Sequence, residues 1–228
     1  YTIVQVSDVH VGAFVGEREL DEGFELVARA KPDLLVATGD LVDFVAETVG
    51  PLAARLAKYA PRDGVYAILG NHDHYAGPEI VAEAVRRAGI RVLCNEGLLV
   101  RPDDGGGFAL LGVDDFQGVV RPRGPFRGPD LGAALATVRP DRPRILLAHQ
   151  PWFFDQSAGR VDVQLSGHTH GGQINPGFTP AKAFMRYVVG RYEIAGSTMW
   201  VNRGFGTAGP PSRIGAPPEI TKLVVVAA

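Results

Sequence analysis

Residues 33–43 read DLLVATGDLVD, an apolar run followed at once by a Gly-Asp pair and a second aspartate. A run this short, bounded by turn formers, predicts a buried strand that delivers polar side chains into the loop beyond it. The same figure recurs along the chain. TIVQV at 2–6 runs into SDVH, VYAIL at 65–69 into GNHD, RILLA at 144–148 into HQP, and VDVQL at 161–165 into SGHTH. In open α/β sheets the functional loops lie beyond the carboxyl ends of the strands, so these five ends would line one rim.

Stretches of helical period separate the runs. Leu20, Phe24 and Val27 form one stripe; Val49, Leu52, Ala53, Leu56, Ala57 and Ala60 form a second, closed by Pro61; Ile80, Ala84, Val85 and Ala88 form a third. Further short strands are expected at 91–93, 98–100 and 108–113, around a DDGGG turn at 103–107, giving a more antiparallel middle. Others are expected at 192–195, 199–201 and 222–226. RPRGPFRGP at 121–129 breaks both periods and reads as surface loop. Alternating strands and helices predict an α/β chain built on a mainly parallel sheet. No repeat or linker divides it, so 1–228 reads as a single domain.

The composition, 46% hydrophobic and 21% charged with 29 Gly and 17 Pro in 228 residues, excludes a disordered, collagenous or coiled-coil chain. Cys94 is the sole cysteine, so no internal disulfide is available. Net charge is −2, although residues 1–114 carry 18 acids and 10 bases and residues 115–228 carry 7 acids and 13 bases. There is no strong basic run with interleaved aromatics, so no specific nucleic-acid partner is expected. No apolar stretch reaches the ~18 residues of a membrane span. The chain opens at Tyr1 rather than Met. An anchoring or export segment ahead of it would make the protein membrane-associated or exported; otherwise a cytoplasmic location is expected.

Of six histidines, His10, His72, His149, His168 and His170 fall in the strand-end clusters, and His74 lies two residues from one. Structural duty would not confine imidazoles to strand ends, whereas a metal centre needs imidazole nitrogens and carboxylate oxygens converging from several loops. Asp8 and His10, like His168 and His170, are spaced to leave an extended segment on the same side. Asp114 and Asp115 close another strand and read as capping residues.

As an ordered set, DVH, GDLVD, GNHD, H-x-P and GHTH resemble the calcineurin-like metallophosphoesterase superfamily over nearly the whole chain. GHTHGGQI and VNRGFGTAGPPSRIGAPPEI resemble its branch of membrane-associated or exported bacterial phosphodiesterases of the YkuE/YaeI type. The resemblance implies an α/β fold of two mixed β-sheets packed as a sandwich flanked by helices. It implies one divalent cation held by Asp8, His10, Asp40 and His170 and another held by Asp40, Asn71, His149 and His168, with Asp40 bridging. Two such cations against two aspartates would keep positive charge for a phosphate anion.

The implied activity is hydrolysis of a phosphodiester by in-line attack of a metal-bridging hydroxide. His72 would act as acid or hydrogen-bond donor to the leaving oxygen, with Asp43 as its carboxylate partner. Nitrogen and oxygen donors without thiolate admit Mn, Fe, Zn, Co or Ni, and the family favours manganese with iron as rival. GNHDHY departs from the family pattern at His74, which points to a substrate role there. Arg203 is expected to offer its guanidinium to a phosphate.

Residues 171–192 hold no acid but include Lys182, Arg186 and Arg191, with Ala181, Phe184, Met185 and Val188 at helical spacing. They read either as a basic amphipathic flap, meeting an amphiphilic phosphoester or making peripheral contact with a membrane, or as an ordinary connecting helix. Alternatives to a phosphodiesterase are a pyrophosphohydrolase of a nucleotide-linked lipid intermediate (UDP-diacylglucosamine type), a phosphomonoesterase, and a non-catalytic scaffold on the same fold. The scaffold fits least, because all seven ligand positions and His72 are filled.

Overall fold

The computed structural model describes residues 1–101 and 107–226, so the expected DDGGG turn lies, apart from Gly107, outside the described residues. The chain runs β1 (Thr2–Val6), α1 (Glu17–Ala30), β2 (Leu34–Thr38), α2 (Gly50–Lys58), β3 (Val65–Ile68), α3 (Asn71–Ala76), α4 (Pro78–Arg87), β4 (Arg91–Val92), β5 (Glu96–Val100) and β6 (Phe108–Gly112). It continues through α5 (Gln117–Val120), α6 (Leu131–Ala136), β7 (Arg144–Leu147), α7 (Phe154–Ser157), β8 (Val163–Ser166), β9 (Gly190–Ile194), β10 (Ser197–Val201) and β11 (Thr221–Val224).

Two mixed sheets result. The first has the order β11-β1-β2-β3-β4, parallel from β1 to β4, with β11 added antiparallel so that Thr2 faces Val224. The second has the order β5-β6-β7-β8-β10-β9, parallel from β6 to β10 and antiparallel at both edges. Antiparallel pairing in the middle of the chain is therefore confined to β5 and β6.

Alternation along β2 shows why its run is apolar throughout. Leu34 and Val36 join Ile3 and Ile68 against Leu110, Ile145, Leu147 and Leu165 of the second sheet. Leu35 and Ala37, on the other face, meet Leu20, Phe24 and Val27 of α1, Leu52 and Leu56 of α2, and Val81 and Val85 of α4. The outer face of the second sheet is covered by Leu131 and Ala134 of α6 and by Phe153. Each fully buried large aliphatic side chain contributes roughly 1.5–3 kcal/mol. This sandwich fixes the strand ends that carry the polar clusters.

The α1 stripe is buried as expected, but the next two differ. α2 stops at Lys58, and Ala57 and Ala60 are exposed; the Tyr59 ring packs on Phe24 instead, with centroids 5.6 Å apart. α4 buries Pro78, Val81, Ala82 and Val85, while Ile80 is 52% exposed. The face is rotated because α4 starts at Pro78, directly after the turn at Gly77 (φ 128°).

The helical spacing at 181–188 is also overturned: only a 3-10 turn forms at Pro180–Ala183. The turn starts at Pro180, a residue suited to a first helical position, and ends at Phe184, whose φ of −122° leaves the helical region. The Thr169 hydroxyl takes the Val188 carbonyl. Val188 is buried, whereas Phe184 is 89% exposed, so this segment is neither a flap helix nor a core helix. No described helix is long and apolar enough to cross a membrane.

Candidate metal centre

Main-chain hydrogen bonds tie the loop after β1 to the loop after β2, and the loop after β7 to the loop after β8. Asp8 N–H donates to Gly39 O and His10 N–H to Asp40 O, each at 3.0 Å, and Gly167 N–H donates to His149 O at 3.0 Å. Gly70 is required by close approach, since a Cβ there would lie 2.3 Å from Asp40 Oδ1 and 2.8 Å from His149 Nε2.

The backbone that aims the side chains is not extended. Asp8 (φ 51°), His10 (50°), Asp40 (51°), His168 (72°) and His170 (51°) are all left-handed, which costs on the order of 1–3 kcal/mol each. The i, i+2 pairs converge because both members twist left-handed, and the expectation of an extended segment is corrected on that point. Asp and His tolerate this region better than branched residues do.

Two donor groups form. In the first, His10 Nε2 lies 3.0 Å from His170 Nε2, and His170 Nε2 lies 3.5 Å from Asp8 Oδ1. In the second, Asn71 Oδ1 lies 2.8 Å from His168 Nδ1 and 3.2 Å from His149 Nε2. Asp40 Oδ2 stands between them, 3.2 Å from His149 Nε2 and 3.6 Å from His10 Nε2. Donor atoms of Asp8, His10 and His170, and of Asp40, His149 and His168, lie within 4.8 Å of one another in each group. His72 is also within that reach of His10 and Asp40.

His149 Nδ1–H donates to Thr38 O at 2.8 Å, which turns its Nε2 toward the cluster. His168 N–H donates to both Asp8 oxygens, at 2.8 and 3.1 Å.

The electrostatics agree with this geometry. Burial pushes Asp40 up, but the His149, His10 and His72 rings outweigh it and hold its carboxyl well below the usual carboxylate range. Burial lowers His149, yet Asp40 and Asp8 raise it well above the ordinary imidazole value. Burial also lowers His10 against the pull of Asp40 and Asp8. His168 and His170 are each pushed down to about 4, chiefly by burial. The neutral imidazoles of His10, His168 and His170, the His149 ring once it has lost its proton, two carboxylates and an amide oxygen form a donor set that fits divalent cations preferring nitrogen and oxygen. Cation binding would displace the proton that His149 and Asp40 share.

The remaining expected residues fall in different places. His72 lies in the cluster: its N–H donates to Asp40 Oδ1 at 2.8 Å, and its Nδ1–H donates to the main-chain carbonyl of Asp43 at 2.9 Å. The Asp43 carboxylate is more distant, 3.4 Å from His72 Nδ1 and 3.6 Å from His10 Nδ1.

His74 is not in the cluster. It is buried, with Nε2 2.9 Å from Asp114 Oδ1 and its ring against Phe126, so it presents no surface to a substrate and the expectation of a substrate role is corrected. Asp114 and Asp115 are structural as read: Asp114 accepts from Gly128 N–H at 2.7 Å and Asp115 from Gln117 N–H at 2.8 Å. Arg203 pairs with Glu219 at 3.3 Å.

Two contributors were not singled out in the sequence. Asp73 accepts from Leu41 N–H (2.9 Å), Val42 N–H (3.1 Å) and Gly70 N–H (2.8 Å), stapling the loop of Asp40 to that of Asn71. Its signal was the Gly-x-x-Asp spacing of a helix start in GNHD. Arg213 Nη2 lies 3.0 Å from His170 Nδ1, and its guanidinium also takes the Arg203 and Ala216 carbonyls. An isolated arginine in a Gly/Pro-rich stretch carries no such signal.

Comparison with known proteins gives a consistent picture. The sequence model described as calcineurin-like phosphoesterase matches residues 1–172, which hold Asp8, His10, Asp40, Asn71, His149, His168 and His170. The chain is 35% identical over 225 residues to an uncharacterized metallophosphoesterase of Aquifex aeolicus, covering 98% of itself and 84% of that protein. It is 32% identical over 233 residues to the metallophosphoesterase YkuE of Bacillus subtilis, covering 97% and 77%. Against a bovine transmembrane protein with metallophosphoesterase domain it is 34% identical and covers 99% of itself, but it spans only 53% of that relative's length. A dimetal phosphatase from Danio rerio superposes with a TM-score of 0.55 at 14% identity over 92% of this chain and 89% of that one, a likeness of fold.

Proposed function

Because the chain belongs to the calcineurin-like phosphoesterase family, we propose that its two donor groups hold two divalent cations and that the site hydrolyses phosphodiesters. The observation that carries this reading is Asp40, whose Oδ2 faces both groups at 3.2 and 3.6 Å. Two cations bound there would draw charge from the phosphoryl oxygens and acidify water.

The chain's own residues do the rest. Asp8, His10 and His170 would hold one cation and Asn71, His149 and His168 the other. The uncharged Asn71 avoids a third carboxylate, so the site stays attractive to an anion. His72, fixed through Nδ1–H to the Asp43 carbonyl, leaves Nε2 to carry the second proton of the imidazolium form, which would pass to the leaving oxygen and return the ring to its neutral Nδ1–H state, a contribution on the order of 10²–10⁴ in rate.

The test is metal-depleted protein reloaded separately with Mn, Fe, Zn, Co or Ni and assayed on bis(p-nitrophenyl) phosphate, p-nitrophenyl phosphate and a nucleotide-sugar pyrophosphate. Fastest turnover of the diester supports the reading. Preference for the pyrophosphate replaces it with a pyrophosphohydrolase, and metal binding without any hydrolysis replaces it with a scaffold.

A further inference from the structure

Two aromatic rings that the core does not claim stand against His72. Phe44, from the loop after β2, is 61% exposed with its centroid 4.9 Å from that of His72, the planes 46° apart. Tyr75, from α3, is 41% exposed and sits 5.5 Å from the same ring at 62°. Outside Tyr75, the Arg121 guanidinium lies 5.9 Å from its centroid. Single exposed apolar side chains are ordinary. Two partly exposed aromatics from different elements on one imidazole of a candidate metal-binding cluster form an aromatic surface beside the reacting centre.

We propose that Phe44 and Tyr75 form a clamp for the leaving group, selecting phosphoesters whose departing alcohol carries a planar ring. The inference rests on the reading of His72 as proton donor, since the oxygen that His72 protonates brings its substituent against these rings. A planar group stacks on or abuts aromatic faces, each such contact contributing on the order of tenfold in affinity, whereas a small alkyl group gains little. An aryl alcohol and a nucleoside share this chemistry. They differ in whether the ring is joined directly or through a sugar.

Isothermal titration of the manganese-loaded protein tests this with two ligand pairs, phenylphosphonate against methylphosphonate and adenosine 5′-monophosphate against ribose 5-phosphate. The expected result is tighter binding of the ring-bearing member of at least one pair, by about tenfold or more. The responding pair identifies the leaving group as aryl or nucleoside. In the Phe44→Ala/Tyr75→Ala double variant the ratio should fall to within about twofold, with metal content and Tm unchanged, as both side chains are exposed. Tyr75→Phe should retain the preference. Equal affinities within both pairs in the unmodified protein, or a preference that survives the double variant, overturns the clamp. If none of the four ligands binds the loaded protein, the phosphoryl-binding reading beneath it fails first.

Discussion

Gly167, between β8 and His168, is the position where one methyl group should remove one cation. A Cβ there would sit 2.0 Å from Ser7 Oγ and 2.1 Å from Asp8 Oδ2, where ordinary contact begins near 3.4 Å. Gly167 is not among the left-handed glycines, so Gly167→Ala introduces a clash without backbone strain. Ser7 is fully buried, and the Asp8 carboxylate is pinned by His168 N–H at 2.8 and 3.1 Å. Relief therefore requires the carboxylate to leave the side shared with His10 and His170.

Overpacking of this kind costs about 1–3 kcal/mol, or about 2–4 °C in Tm per kcal/mol for a chain of this size. The lost carboxylate should weaken the first cation at least as much as loss of a supporting partner does, about 10–100-fold. Calorimetric titration with manganese should show one tight site where the unmodified protein shows two. Gly50→Ala, the same chemical change with nothing within 4 Å, should keep two sites and melt no lower. Two full-affinity sites in Gly167→Ala would refute the placement of Asp8.

Three further outcomes follow from individual side chains. His72→Ala should keep both metals by elemental analysis while turnover falls on the order of 10²–10⁴-fold; loss of a metal would make His72 a ligand. Burial and Asp40 push the Asp73 carboxyl up to about 7, so the staple is tested at pH 4, where charge relief does not offset it: Asp73→Ala leaves three buried main-chain donors unpaired, urea unfolding of metal-free protein should show a loss of about 1–3 kcal/mol, and unchanged stability would dismiss the staple. Asp115 is pushed up to about 6, chiefly by burial and against the pull of His149. The folded state thus holds this proton more tightly than the unfolded chain, and the associated stability is full below about pH 4 and lost as pH rises through about 6. In metal-free protein, Asp115→Asn should remove that slope and add on the order of 3 kcal/mol at pH 7; an equal effect at pH 4 and pH 7 would contradict it.

The strands were legible because most are buried on both faces, as Leu34 to Ala37 are between two cores, which leaves short apolar runs ending in polar clusters. The donor residues were legible for the same reason, since they sit where those runs stop. How they converge was not, because the left-handed backbone there is held by partners distant in the chain: Gly39 and Asp40 at Asp8 and His10, the Asp8 carboxylate at His168 and Arg213 at His170. Local period failed at Ile80, where the junction at Gly77 sets the rotation of α4. It failed again at Phe184, where spacing without tertiary partners mimicked a helix. His74 looked like a substrate group by proximity to GNHD, but its partner Asp114 lies 40 residues away.

The most direct test is anomalous diffraction at the manganese edge from crystals of the manganese-loaded protein. Two peaks are predicted, one enclosed by Asp8, His10, Asp40 and His170 and one by Asp40, Asn71, His149 and His168, with Asp40 touching both. A single peak, peaks elsewhere, or a pair that Asp40 does not bridge would contradict the account.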